Sequence, residues 1–161
     1  MVERLDFRNP ELSRQLNRII QNCGRKAIKV KLAEIEEVLG VPTVEVNPAY
    51  TSKECSSCHY VDKRNSRDRD HFHCLWCGLK LHADVNGARN TGIRRSGGQL
   101  GSVHLHRRKI LDALVRQFVE RWGRSCKVGR PGSKDVPIDP RFANPYFLWN
   151  PSFQQWAATG R

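Results

Sequence analysis

No stretch of the chain approaches the roughly 18 consecutive apolar residues that a membrane-spanning helix needs, and Met1-Val2-Glu3-Arg4 lacks the apolar core of a signal peptide. Membrane insertion and export are therefore not expected. Acidic residues are also scarce: 16 Asp and Glu stand against 28 Lys and Arg, giving a formal charge of +12 and a pI near 9.9. That deficit points to polyanionic partners, nucleic acid first, because so positive a surface concentrates phosphate around itself. Disulfides are not expected either. Four of the six cysteines fall in two Cys-x-x-Cys pairs, and thiols of an unexported chain stay reduced. What the chain does have is 161 residues, enough for one ordinary domain or a small one with appendages, and 39% apolar content, enough for a modest core.

Asn9-Pro10-Glu11 reads as a helix start, with Asn9 as cap and Pro10 where no amide hydrogen is needed. Leu12, Leu16, Ile19, Ile20 and Cys23 recur at helical spacing, and Ile28, Leu32, Ile35, Val38 and Leu39 resume the stripe up to the stop at Gly40. This pattern predicts two helices, or one bent at Gly24. Val2 to Phe7 reads as an earlier strand, and the β-branched run from Thr43 to Val46, closed by Asn47-Pro48, as a later one. Strand, helix, strand is a βαβ-like unit with parallel strands, yet two strands alone do not make a stable sheet. Residues 82–95 read as a further helix, weakened by Gly87 and Gly92.

Ser96-Gly97-Gly98-Gln99-Leu100-Gly101 has the composition of a flexible linker. After it, Ile110, Leu111, Leu114, Val115, Phe118, Val119 and Trp122 share one helix face, while Arg107, Arg108, Lys109, Arg116 and Arg121 fill the other. Beyond Gly123 the aromatics Tyr146, Phe147, Trp149, Phe153 and Trp156 follow no period, so no element is assigned there. Residues 97–161 carry 11 basic and 4 acidic residues, the more basic portion for its length.

Cys55-Ser56-Ser57-Cys58, 15 further residues, and then Cys74-Leu75-Trp76-Cys77-Gly78 have the spacing of a four-thiolate zinc site. One tight turn presents each pair of sulfurs, and two such turns complete a tetrahedron. A segment of this size cannot bury enough apolar surface to fold alone, so the metal is expected to serve as its core. Gly78 suits the turn after the second pair, whereas His59 occupies the corresponding place after the first. His71, His73 and His82 lie close enough in sequence to replace a thiolate. Four matched cysteines leave no open position, which makes the zinc structural rather than catalytic. Cys23, on the apolar stripe, and Cys126, in a basic loop, read as ordinary thiols.

The run Asn47-Pro48-Ala49-Tyr50-Thr51-Ser52-Lys53-Glu54-Cys55-Ser56-Ser57-Cys58, the second cysteine pair, and His82-Ala83-Asp84-Val85-Asn86-Gly87-Ala88-Arg89-Asn90 together resemble the C-terminal part of TnpB (OrfB) proteins. Those are transposon-encoded, RNA-guided DNA nucleases related to the effector nucleases of type V CRISPR systems. The resemblance covers roughly residues 1–95. It implies an α/β architecture: an incomplete RNase H-like (RuvC) fragment with an inserted zinc ribbon and an unrelated basic helical tail. The expected divisions are a strand-helix-strand portion over residues 1–50, the ribbon over 51–81, the RuvC-like helix over 82–96 and the tail over 97–161.

In the family, carboxylates from three segments hold Mg²⁺ ions that activate water and stabilise the leaving oxygen. The resemblance implies that Glu3 is the second-segment carboxylate and Asp84 the third. The first-segment aspartate has no counterpart in these 161 residues, so the isolated chain, read as a truncated gene product, is expected not to cleave DNA. Without the resemblance, Glu3 is a solvated charge and Asp84 a helix cap. Implied partners are DNA, a guide RNA and a separately encoded N-terminal portion, in a prokaryotic cytoplasm near the nucleoid. A non-catalytic nucleic-acid-binding module, or an interaction remnant that complements an N-terminal half, are the alternatives. Arg94, Arg95, Arg107, Arg108 and Lys109 are candidates for phosphate contact, and Tyr60 and Trp76 either stack on bases or pack around the zinc turns. Asn86 and Asn90 either position the carboxylate and nearby backbone or lie on an exposed helix face.

Overall fold

The computed structural model describes residues 2–3, 9–65, 68–96, 99–123 and 141–159. Along the chain these form β1 (Val2–Glu3), α1 (Arg14–Leu39), β2 (Glu45–Val46), β3 (His71–His73), β4 (Lys80–His82), α2 (Ala83–Ile93), α3 (Arg107–Trp122), α4 (Pro145–Leu148) and α5 (Pro151–Thr159).

β1 and β2 pair in parallel, with Val2 opposite Glu45 and Glu3 opposite Val46, and α1 makes the crossover between them. The expected strand-helix-strand order is therefore present, although the rest of the anticipated first strand lies outside the described residues. α1 is one helix of 26 residues that runs through Gly24. It also starts later than the sequence indicates. Ser13 is the N-cap, accepting from the Leu16 amide at 3.2 Å. Asn9 caps only a preceding turn, in which its side chain accepts from the Glu11 amide at 2.9 Å while Asn17 Nδ2 holds the Asn9 and Leu12 carbonyls. Gly40 ends the helix in the left-handed region at φ 64°, donating to the Glu36 carbonyl. The apolar stripe of α1 is not covered: Leu16, Ile19, Ile28, Ile35 and Val38 are all exposed.

The principal core lies elsewhere and joins the cysteine-bearing segment to the tail. α3 buries Ile110, Leu114 and Phe118 at i, i+4 and i+8, with Ala113, Val115 and Val119 beside them. Against this face pack Tyr60 and Phe72 of the ribbon, together with Phe142, Phe147 and Phe153 of the last segment. Ring centroids of Tyr60 and Phe118 are 5.3 Å apart, those of Trp76 and Phe118 4.9 Å, and those of Tyr60 and Phe147 5.5 Å. The ribbon thus has a second source of burial besides its metal, contrary to expectation. The aromatic tail looks aperiodic because its rings hang from separate short elements. Asn144 and Asn150 cap α4 and α5, and both asparagines are buried.

The expected linker is an ordered connection over its described part, with 3-10 turns at Arg94–Ser96 and Gln99–Gly101. Gly101 serves a close approach rather than freedom: a Cβ there would lie 2.5 Å from the Arg94 carbonyl oxygen. Gly87, by contrast, has nothing within 4 Å of where a Cβ would sit. Two substitutions to alanine should therefore act in opposite directions. Gly87→Ala should raise stability by about 0.5–1 kcal/mol through helix propensity. Gly101→Ala should lower it by about 1–3 kcal/mol through overpacking against backbone. Urea unfolding of the zinc-loaded protein reads both, and equal signs would refute the assignment.

Candidate metal centre

Each cysteine pair sits on a turn whose backbone folds back on itself. The His59 amide donates to the Cys55 carbonyl at 2.9 Å and the Gly78 amide to the Cys74 carbonyl at 3.0 Å, while the Cys55 and Cys74 amides reach the Tyr60 and Leu79 carbonyls, both at 2.9 Å. Both turns need a left-handed residue after the second cysteine. Gly78 supplies it at φ 75° without strain. His59 supplies it at φ 64°, and its Nδ1 lies 2.8 Å from Glu54 Oε1, a contact that holds the ring against the disfavoured backbone. The second turn is the tip of an antiparallel hairpin of β3 and β4, with Phe72 opposite Leu81.

The four sulfurs of Cys55, Cys58, Cys74 and Cys77 lie within 4.8 Å of one another, with Cys58 to Cys74 at 3.5 Å and Cys55 to Cys77 at 3.7 Å. A tetrahedral ion with Zn–S bonds of about 2.3 Å needs sulfurs about 3.8 Å apart, so the set fits a metal ion such as Zn²⁺. Hydrogen bonds from Cys58 and Cys74 hold Cys55 well below the usual thiol range, and Cys55 in turn pushes Cys74 up to about 12. Cys58 is raised too, by the same bond and by burial. Among the described residues these cysteines are the only group of three or more suited to a metal. Of the candidate replacement ligands, His71 is engaged with Asp68 at 2.9 Å, and His82 caps α2, accepting from the Asp84 amide at 3.3 Å. Cys126 lies outside the described residues.

The ribbon is bolted to α2 by two buried asparagines. Asn86 Nδ2 donates to the Glu54 carbonyl at 2.8 Å and its Oδ1 accepts from the Ser56 amide at 3.0 Å. One turn on, Asn90 Nδ2 donates to the Thr51 and Glu54 carbonyls at 2.8 and 2.7 Å. Neither lies on an exposed face; both position backbone, and the backbone they position leads into the first cysteine. Beneath them runs a network that the sequence does not reveal. The Glu54 carboxylate, 2% exposed, meets Arg94 Nη2 at 2.9 Å, and Arg94 Nη1 donates to the Asn47 carbonyl at 2.6 Å. Asn47 Nδ2 then donates to the Ser102 and Leu105 carbonyls, tying the tail in.

Arg94 is therefore not part of the basic surface, where the sequence placed it. Its partner stands 40 residues upstream, so its charge reads as solvated until the fold brings Glu54 to it. Arg95, Arg107, Arg108 and Lys109 are exposed. Tyr60 and Trp76 take the packing role. Tyr60 is fully buried, and its hydroxyl lies 3.1 Å from Asp62 Oδ2 and accepts from Asn144 Nδ2 at 2.9 Å; burial pushes the phenol well above its usual range. Trp76 meets Phe118 edge-to-face, and the Arg141 guanidinium lies 4.0 Å from its ring centroid.

Asp84 stands in the first turn of α2 with its side chain 92% exposed. It lines an open groove of about 420 Å³ with Thr51, Ser52, Asp68, Arg69, Gly87 and Thr91. The Glu3 side chain lies outside the described residues, so only the strand position of that residue is described. Among the described residues Asp84 has no cluster of carboxylates with which to hold Mg²⁺.

Fold and site together define a four-cysteine metal ribbon set in a mixed helical and small-sheet protein. The family described as Cas12f1-like, TNB domain, matches residues 25–91. The chain is 34% identical over 77 residues to the CRISPR-associated endodeoxyribonuclease Cas12f1 of Sulfoacidibacillus thermotolerans, a stretch that is 48% of this chain and 18% of that one. It is 39% identical over 83 residues to InsQ of Escherichia coli (strain K12), whose name describes an RNA-guided DNA endonuclease, covering 52% and 21%. With a TnpB-like protein of Aquifex aeolicus (strain VF5) the identity is 38% over 80 residues, covering 48% and 26%. These matches support a TnpB-family protein over the part of the chain that they cover. It spans about a fifth to a quarter of the length of these relatives. Among the described residues no helix is long and apolar enough to cross a membrane.

Proposed function

We propose that the chain is the C-terminal portion of a RuvC-type, RNA-guided DNA endonuclease, with a structural Zn²⁺ in its ribbon and Asp84 as one of the carboxylates of the nuclease centre. The observation that carries this reading is the rigid link from Cys55 through Glu54 to Asn86 and Asn90, which anchors the helix that displays Asp84 over an open groove. Glu3, in a strand paired with β2, would contribute a second carboxylate. Mg²⁺ held by such residues would activate water and neutralise charge at a phosphodiester. Two strands make too small a sheet to stand alone, and the bare apolar stripe of α1 lies beside it in the chain. A segment that supplies further strands and the first-segment aspartate would cover both, which supports complementation by an N-terminal portion, encoded with this chain or apart from it.

On this reading the chain alone binds nucleic acid through Arg95, Arg107, Arg108 and Lys109 without cutting it. Supplied with the N-terminal portion of a TnpB relative, guide RNA, target DNA and Mg²⁺, it should cleave, and Asp84→Asn should abolish cleavage. Undiminished cleavage by Asp84→Asn would remove Asp84 from the centre. Binding of DNA by the chain alone should weaken steeply with salt, as phosphate contacts require; binding indifferent to salt would reject the basic surface.

A further inference from the structure

Of the ribbon rings that bases would stack upon, Tyr60 is inside the core and Trp76 is half-buried against it, yet one large aromatic is left bare. Trp149 is 80% exposed, beside the half-bare Leu148. A monomer gains nothing by presenting an indole to water, and Trp is highly buried on average. Nor is this a loose loop. Trp149 stands between buried Phe147 and Phe153, with Asn144 capping the helix before it and Asn150 the helix after it. Its own amide donates to the Phe147 carbonyl, and the Asn150 amide donates to the same oxygen. The indole is held out by a fixed frame.

What lies alongside selects the occupant. Tyr146 lies three residues before Trp149, which follows directly on the end of α4. The Tyr146 ring meets Tyr50 edge-on at 5.5 Å, and the Arg107 guanidinium covers Tyr50 at 4.8 Å from its centroid. Arg107 opens the run Arg107, Arg108 and Lys109, all exposed and none paired with a described carboxylate. Two contacting tyrosines therefore lead from the residues beside Trp149 to three exposed cations, the first of which lies over Tyr50. An apolar protein partner would leave those cations desolvated, and a paired duplex would hide its base faces from the indole. Unpaired bases joined by phosphates satisfy both ends.

We propose that Trp149, with Tyr146, Tyr50 and the cations at Arg107, Arg108 and Lys109, forms a docking ridge for single-stranded nucleic acid, one base stacking on the indole while neighbouring phosphates meet the guanidinium groups. This rests on the nucleic-acid-binding reading above and specifies its ligand. It also draws on a part of the chain that lies beyond the family match at residues 25–91.

The test uses the zinc-loaded full chain and fluorescence anisotropy of labelled oligo(dT) and oligo(U) of about a dozen nucleotides, with a blunt duplex of equal length as the third arm. Trp149→Ala should weaken the single strands about ten- to hundredfold, leave the duplex unaffected and keep the salt dependence unchanged, while Trp149→Phe retains most of the affinity. Arg107→Gln should reduce the salt slope by about 1 for every ligand. Unchanged single-strand affinity in Trp149→Ala, or an equal loss on the duplex, overturns the ridge and leaves the basic-surface reading standing. If light scattering finds a dimer that Trp149→Ala dissolves, the face belongs to a second copy and the proposal fails. If the parent protein binds none of the three ligands, the broader reading falls and this one with it.

Discussion

Stripping the metal is expected to unfold the ribbon and the tail together. The cysteine turns are joined to the C-terminal helices by direct contacts: Tyr60 and Trp76 interlock with Phe118, and the Trp122 indole nitrogen donates to the Cys58 carbonyl at 3.1 Å. Cys55, Cys58 and Cys74 are themselves members of the shared core. Without a cation, the buried sulfurs lose the one interaction that satisfies all of them, and the turn that carries Tyr60 loses its anchor. In small metal fingers the ion contributes an apparent ~10–16 kcal/mol. Here the aromatic core retains some order, so the loss is smaller than that but larger than any single side-chain deletion. Titration with a zinc chelator, followed by helix circular dichroism and tryptophan fluorescence, should show one transition in which α3 signal and ribbon signal vanish in parallel. Cys74→Ser should behave as the chelated protein does. Retention of full helix content after verified metal loss would mean that the tail folds on its own core. Since the ion binds thiolates, acidification should release it and reproduce the same transition.

The second large effect is expected from a residue that is not among the candidate metal ligands. Arg94→Met should destabilise the protein by about 3–5 kcal/mol, because it leaves the Glu54 carboxylate buried without its cation. The pair is nearly solvent-free, with side chains 1% and 3% exposed, and Arg94 also secures the Asn47 carbonyl. His59 remains beside Glu54 and softens the loss without cancelling it. The combined Glu54→Gln, Arg94→Met variant should recover much of the stability, since no unpaired charge is then left inside. Urea unfolding in the presence of zinc distinguishes the two variants. If Arg94→Met matches the parent within about 0.5 kcal/mol, Arg94 is not held in the interior and returns to the candidates for phosphate contact.

The cysteine spacing was legible because metal geometry is local: two residues between sulfurs set the turn, and Gly78 marks it. The parallel pairing of β1 and β2 was legible for a similar reason, since α1 and its flanks carry their own periodicity. α3 announced itself by a clean stripe. The fate of each stripe was not legible. Those of α1 and α3 look alike in sequence, yet one is exposed and the other anchors the core, because amphipathicity names a face and not its partner. The aromatic tail carried no period, as Phe142, Phe147 and Phe153 converge from three segments. Gly101 read as slack and is in fact a tight contact with the Arg94 carbonyl. Asn86 and Asn90 were ambiguous until the backbone of residues 51–56 arrived to meet them.

The knuckles of a free-standing ribbon present two flanks to their surroundings. Here α3 and α4 cover one of them, through Phe118, Trp122 and Phe147. The remaining approach passes the exposed Cys77 edge and the groove at Asp84. The appended helices thereby make the ribbon one-sided, and replacing them would change what is shielded while leaving the Cys77 edge open.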